Sequence, residues 1–300
     1  MLLISRRSFI IMIAAIDAPQ RAARRDVDDL SSDAGNRANS AGAELVADSR
    51  DAAVRYPDET NTGVDDKTGL KPSGSITTSR DEQVIRGLDI SGPVTISHNA
   101  VTLENCRISA ASFAVVNVVN EVRVPPIIQD CEIDGLGLKG AEGSNGINGY
   151  GAVRRCNIHG VENGINVTAP LIFEDNYVHD LAAPGSPHYD GVQIDGGHDI
   201  SILHNTIINS YPQTATVMID NWSTAISNIV VDNNRLIGGG YTVYSDGRQG
   251  SGPISGVSFT NNRMGKGHWG YAAFSRNTPV WRGNVDDATG RPIRISGTIN

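Results

Sequence analysis

One pattern returns eight times along this chain. VTLENCRI at 101–108 runs apolar, polar, apolar and ends in a small polar cluster. It comes back as IIQDCEI (127–133), AVRRCNI (152–158), LIFEDNYV (171–178), ISILHNTI (200–207), IVVDNNRL (229–236), VSFTNNRM (257–264) and, more weakly, PVWRGNV (279–285). Aligned, these segments put Cys106, Cys131, Cys156, Asn176, Asn205, Asn234, Asn262 and Asn284 in one column, at steps of 25, 25, 20, 29, 29, 28 and 22 residues. A period in this range marks a solenoid, because each repeat buries its apolar side only by stacking on its neighbours. The apolar alternation has period two, so the repeating unit is β. No stretch of 61–300 carries a convincing helical period, which argues against leucine-rich and βαβ repeats.

A second column precedes the first. It reads GINGY (146–150), GINVT (164–168), GVQID (191–195), TVMID (216–220), TVYSD (242–246) and YAAFS (271–275). Ile147, Ile165, Val192, Val217 and Val243 share an inward position, and Asn148, Asn166, Gln193, Met218 and Tyr244 the next, outward one. The recurring Asn has two readings: a turn that needs left-handed backbone, and a buried stack passing side-chain hydrogen bonds from coil to coil. The three Cys act as small buried hydrophobes in the same column, and three thiols imply no disulfide framework.

The Asn/Cys column resembles the asparagine ladder of right-handed parallel β-helix proteins, the pectate-lyase-like superfamily, over residues 75–285. Among these it is most similar to small secreted lyases of the alginate and pectate type. The resemblance implies an all-β fold: a single-stranded right-handed parallel β-helix of about eight coils.

Composition and the ends set the domain reading. Gly is plentiful (33) and aromatics are few (5%), as one solenoid domain with many turns requires. The net charge of −8 argues against nucleic acid as a partner. SRRSFI near the start resembles a twin-arginine export signal, and the apolar run Phe9–Ile16 is too short to span a bilayer. Residues 1–18 therefore read as an export-like segment without a stable membrane anchor, on a protein exported to the periplasm or beyond. Residues 19–60 are polar, without apolar periodicity, and read as a linker. The helix is expected over 61–285, a C-terminal tail over 286–300, and a monomer as the working form.

A β-helix core is filled by stacked side chains, so a ligand must lie on an outer face. Coils repeat every ~4.8 Å, close to the size of a sugar unit, which makes an extended polysaccharide the first substrate class to consider. Beyond the second column the outward residues read Tyr150, Thr168, Asp195, Asp220, Asp246 and Ser275. Three Asp on successive coils raise one another's pKa unless a cation neutralises them, and oxygen ligands of this kind suit Ca²⁺. The plainer reading is that each Asp ends its strand at a solvated turn.

The loop APGSPHYDGVQIDGGH (183–198) gathers His188, Tyr189, Asp190, Gln193, Asp195 and His198 in one coil. Its His-x-Asp-Gly-Val-Gln run resembles a segment of bacterial β-helix lyases and epimerases, and its SPH resembles the DPH of mannuronan epimerases, with Ser186 where the acid would stand. The next coils bring Tyr244 and Arg248, then Lys266, His268, Trp269 and Arg276. Residues 241–300 hold seven Lys/Arg against three Asp, whereas 61–240 hold ten against twenty Asp/Glu. A basic end on an acidic protein suits a polyanion.

The expected chemistry is β-elimination on a uronate polymer. It needs a neutralised carboxylate, a base at the α-proton and an acid at the leaving oxygen. Asp195, Asp220 and Asp246 are the candidate cation ligands. Gln193, Arg276, His268 and Tyr189 are candidates for substrate binding. Arg248, Lys266, Tyr244 and His188 are candidates for base and acid. The alternatives are a glycoside hydrolase using Asp195 and Asp220, a uronan epimerase, and a non-catalytic polysaccharide-binding helix.

Overall fold

The computed structural model describes residues 55–65, 69–119 and 122–295. The expected export segment, and the linker up to residue 54, lie outside these residues. Among the described residues the chain is almost wholly β, with a single short 3₁₀ turn at Gly137–Lys139.

All the strand-to-strand pairings are parallel, and they form three columns. The first climbs from Val84–Arg86 to Val280–Arg282. The second climbs from Lys71–Thr77 to Val285–Asp286. The third begins in the same strand and ends at Gly270–Ser275. The third column stacks nine strands, so the fold is a parallel β-helix of about eight turns.

Each sequence repeat turns out to be two strands with a corner between them. VTLENCRI contains Thr102–Glu104 in the first column and Arg107–Ser109 in the second. Left-handed backbone makes the corner, but one residue earlier than the sequence reading placed it. Asn105, Asp130, Arg155, Asp175, His204, Asn233 and Asn261 have φ between +48° and +58°, and Gly283 has +71°. The column residue that follows each of them is buried and keeps ordinary backbone.

That column residue recurs for its side chain. Asn176 Nδ2 donates to Asn205 Oδ1 at 3.0 Å, Asn205 to Asn234 at 2.9 Å, Asn234 to Asn262 at 3.0 Å and Asn262 to Asn284 at 3.0 Å. Each Oδ1 also accepts the backbone N–H of the rung below at 2.8–3.0 Å, beginning with Cys156 N–H on Asn176. The corner would otherwise bury backbone groups unpaired, and these amides satisfy them. Cys106, Cys131 and Cys156 continue the stack as buried free thiols.

The core is a continuous file of Ile, Val and Leu side chains, closed near its C-terminal end by Phe259 stacked on Phe274 at 5.5 Å. Beyond the last strand the chain folds back: Val285 bridges Pro292, and Trp281 Nε1 donates to Ile293 O at 3.0 Å. At the other end, residues 55–65 run along the helix axis over the corner of the first two columns. Tyr56 O–H reaches Asn233 Oδ1 at 3.2 Å, Gly63 N–H reaches Arg155 O at 2.8 Å, and Asp65 N–H reaches Asn105 Oδ1 at 3.2 Å. This strap covers one corner and leaves the outer face of the third column open.

Candidate functional site

The outer face of the third column changes character along the axis. At one end Asn148 donates to Asn117 and Asn166 to Asn148, both at 2.8 Å. This amide file uses its own hydrogen bonds. It continues in register through Gln193, Met218 and Tyr244, ending at Ala273. Two residues further along the strands, Asp220 pairs with Asp246 and Asp246 with Ser275, while Asp195 follows Ile194, the partner of Ile219. The expected Asp file is therefore real. Tyr150 does not belong to it: the register slips between Val167 and Leu171, and Tyr150 turns inward to donate to Val122 O at 2.7 Å.

The carboxylates sit in three different settings. Asp195 is half-buried, and Gln193 Nε2 lies 3.2 Å from each of its oxygens. Burial raises its pKa, while Gln193 and the charge of His188 act in the opposite sense. Asp220 accepts Trp222 N–H at 2.8 Å, and burial, with the charges of Asp195 and Asp246, lifts it to about 6. Asp246 is gripped by Arg248 through Nε and Nη2, both at 2.8 Å, and by Gln249 at 3.2 Å. Burial opposes its ionisation, but these donors outweigh burial and hold it below the usual range.

Burial also explains the DGV of the loop. Asp190 is buried, and its Oδ1 accepts Ala215 N–H at 3.0 Å. Its own N–H donates to Asn163, which donates to Asn145 at 3.1 Å, so a second interior file runs beside the site. Desolvation first, then the charges of Asp195, Asp220 and Glu162, push Asp190 well above the carboxylate range. Gly191 must be Gly, since a Cβ there would stand 2.2 Å from Ile207 Cγ2 and 2.6 Å from Thr216 O.

The structure brings together Gln193, Asp195, Asp220, Tyr244, Asp246 and Arg248, with His188 at the rim of the same coil. Tyr244 meets Tyr241 edge-on at 5.5 Å, and burial raises its phenol. Other expected residues fall elsewhere. Tyr189 is buried, stacks on Tyr211 at 3.7 Å and bonds Ala183, and burial pushes its phenol up to about 12, so it does not line the face. Lys266 and His268 border a separate hollow of about 240 Å³ with Tyr211, at the corner ahead of the third column. Arg276 lies just past Gly270–Ser275, the last strand of the third column, against the Gly250–Pro253 turn. Arg248 and Asp246 are committed to each other, which takes Arg248 out of the base role and fills both oxygens of Asp246. Among the described residues, no group of three or more His, Cys, Asp and Glu is arranged to hold a metal ion.

Glu162 and Trp222 escaped the sequence reading, and Asp190 was noted in the 183–198 loop but given no role. Asp190 and Glu162 are carboxylates inside strand-like runs, where an acid has to be explained by its partners. Trp222 is 70% exposed and stands two residues after Asp220, and an exposed Trp close to an acid is a signal for ligand stacking.

The family model for the right-handed β-helix region matches residues 93–278. No curated protein and no solved structure matches the chain.

Proposed function

The chain belongs to the right-handed β-helix family, and from that premise we propose that it hydrolyses glycosidic bonds of a polysaccharide laid against the third column. Asp220 is the acid and Asp195 its ionised partner. One observation carries the reading: two half-buried carboxylates on adjacent coils whose ionisations are split. Burial raises both carboxyls; at Asp220 the charge of Asp195 adds to it and lifts the group to about 6, whereas at Asp195 the Gln193 amide and the charge of His188 work against it. Asp195 thus ionises first. A pair divided in this way supplies an acid and a base at one pH.

In the reaction Asp220 gives its proton to the leaving glycosidic oxygen. Water adds to the anomeric carbon and passes its proton to Asp195. The Asp246–Arg248 pair closes one side of the site, and Gln193 orients Asp195. Trp222 offers a flat apolar surface for a sugar ring. An export-like start is in keeping with a polymer met outside the cytoplasm.

The elimination expected from the sequence fits less well. It asks for an unengaged base and for a counter-charge to the uronate, whereas Arg248 is held by Asp246 and the face carries more carboxylates than free cations. A panel of neutral and uronate polysaccharides tests the choice. Hydrolysis yields new reducing ends with no unsaturated uronate absorbance, and Asp220→Asn abolishes them. An unsaturated product would mean elimination, and binding without cleavage would mean a non-catalytic helix; either overturns the proposal.

A further inference from the structure

The corner that leads into the last strand of the third column is built from glycines. Residues 238–240 are Gly-Gly-Gly, and in the next coil Gly265 and Gly267 flank Lys266. A Cβ on Gly267 would stand 2.6, 2.8 and 2.9 Å from the carbonyl oxygens of Gly240, Gly239 and Gly238, so the two coils meet backbone on backbone. His268 N–H donates to Gly239 O at 2.9 Å, Trp269 N–H to Gly240 O at 2.7 Å and Gly267 N–H to Thr242 Oγ1 at 3.1 Å. The backbone of 267–269 is thus fixed, while the side chains of Lys266, His268 and Trp269 are exposed.

Lys266 and His268 border the hollow of about 240 Å³, together with Tyr211, itself held by its stack on Tyr189 at 3.7 Å. No acid lines it. Elsewhere cations are committed: Arg107, Arg154, Arg155, Arg235, Arg248 and Arg263 each grip a carboxylate. Among the described residues no ion pair or hydrogen bond engages the side chain of Lys266 or of His268. A cation and a second donor on a hollow without an acid suit an anionic group. The hollow also touches the third column. Trp269 meets the His268 ring edge-on at 5.7 Å and Tyr241 at 5.9 Å. It lies over Gly240, where a Cβ would come 2.5 Å from its Cζ3 and 3.2 Å from the Tyr244 hydroxyl. Trp269, 54% exposed, therefore links the hollow to the Tyr244 end of the face.

We propose that this hollow is the subsite for an acidic sugar unit, so that the polymer is an acidic polysaccharide: a carboxylate or sulfate lies against Lys266 and His268, and the sugar ring rests on Trp269. The inference rests on the reading that a polysaccharide lies along the third column, and it adds the substrate class. Asp195 and Asp246 repel an anionic unit and the hollow attracts one, so together they set the register of the polymer, with the acidic unit at the hollow and its neighbours toward Asp220. The volume is below the roughly 300–1,000 Å³ of a site that encloses a whole small molecule, which suits one unit of a chain.

Affinity electrophoresis of the full chain tests this, with polygalacturonate and a sulfated galactan as probes, each run beside its carboxyl-reduced or desulfated twin. The wild-type protein should be retarded by at least one acidic polymer and not by its neutral twin, and the polymer that retards it tells carboxylate from sulfate. Lys266→Ala should weaken that binding by about 10- to 100-fold, the range for a hydrogen bond to a charged group. Lys266→Arg should keep most of it. Lys71→Ala removes another exposed cation, on the first strand of the helix, and should leave binding unchanged. Equal retardation by an acidic polymer and its neutral twin, retardation by neither acidic polymer, or a loss in Lys266→Ala no greater than in Lys71→Ala overturns the inference. Failure of the hydrolytic reading shows separately, as an acidic polymer bound through Lys266 but left uncleaved, or as an Asp220→Asn variant that still cleaves.

Discussion

Removing one rung of the interior amide stack, by Asn234→Ala, should destabilise the protein severely. Asn234 sits at the middle of five bonds. Its Oδ1 accepts Asn205 N–H at 2.8 Å and Asn205 Nδ2 at 2.9 Å. Its Nδ2 lies 2.9 Å from both Ile202 O and Asp232 O, and 3.0 Å from Asn262 Oδ1. Two amide hydrogens serve three acceptors, so the bonds are not all of full strength. Truncation takes from Asn205 N–H, a buried donor, the acceptor that meets it here, which costs about 1–3 kcal/mol. The remaining contacts contribute about 0.5–1.5 kcal/mol per full bond. A total of about 3–5 kcal/mol follows. Urea unfolding followed by far-ultraviolet circular dichroism reads this as a lower midpoint at unchanged slope. Asn228→Ala is the control. Asn228 lies outside the stack: unlike Asn234 it has left-handed backbone, φ +57°, and an exposed side chain bonded to Asp199, so its loss should cost no more than about 1 kcal/mol. If Asn234→Ala costs no more than the control, the stack is a consequence of the corner rather than a cause of it.

Three further outcomes concern the site. Asp220 has a folded pKa of about 6 against an unfolded value near 3.8, so the unfolded chain loses its proton first as pH rises through that window. The native state is therefore weakened above the window and unaffected below it. Two units set a ceiling of about 3 kcal/mol, which solvent around a half-buried group cuts to roughly 1 kcal/mol. Asp220→Asn should raise the melting temperature above pH 7 and leave it unchanged below pH 4, as calorimetry across pH would show. The same proton gates the chemistry, so kcat/KM should fall on its alkaline limb with a midpoint near 6. Arg248→Ala leaves the buried Asp246 carboxylate without its bidentate partner and should cost about 2 kcal/mol at neutral pH. Arg248→Lys should recover only part, since an ammonium cannot make the paired contacts.

How much of this could be read from the sequence follows from what each feature depends on. The repeat column, the β period and the inward and outward faces are local, and Asn205, Val217 and Met218 lie where alignment puts them. The corner was misjudged by one residue because Asn occupies both the left-handed position and the stacked one, as in DNN and TNN; only coils such as RRC and LHN separate the two roles. Two strands per repeat were read as one, because three residues on each side of a corner are too few to show their own period. Of the site, the Asp file came from register. Its chemistry did not, because it depends on partners. Asp246 is tied to Arg248 two residues on, Tyr189 turns inward to Tyr211, and Tyr150 leaves the file through a register slip. Glu162 and Asp190 stand out only once burial and donors are known.

The account turns on the proton that Asp220 holds beside the charge of Asp195, and a carbon-13 titration of the aspartate carboxyl groups measures it directly. Asp220 is expected to titrate near 6 in the wild-type protein and to move down toward the ordinary aspartate range in Asp195→Asn. An Asp220 that titrates as an ordinary exposed aspartate, or one indifferent to the loss of Asp195, would contradict the assignment of these two residues as acid and base.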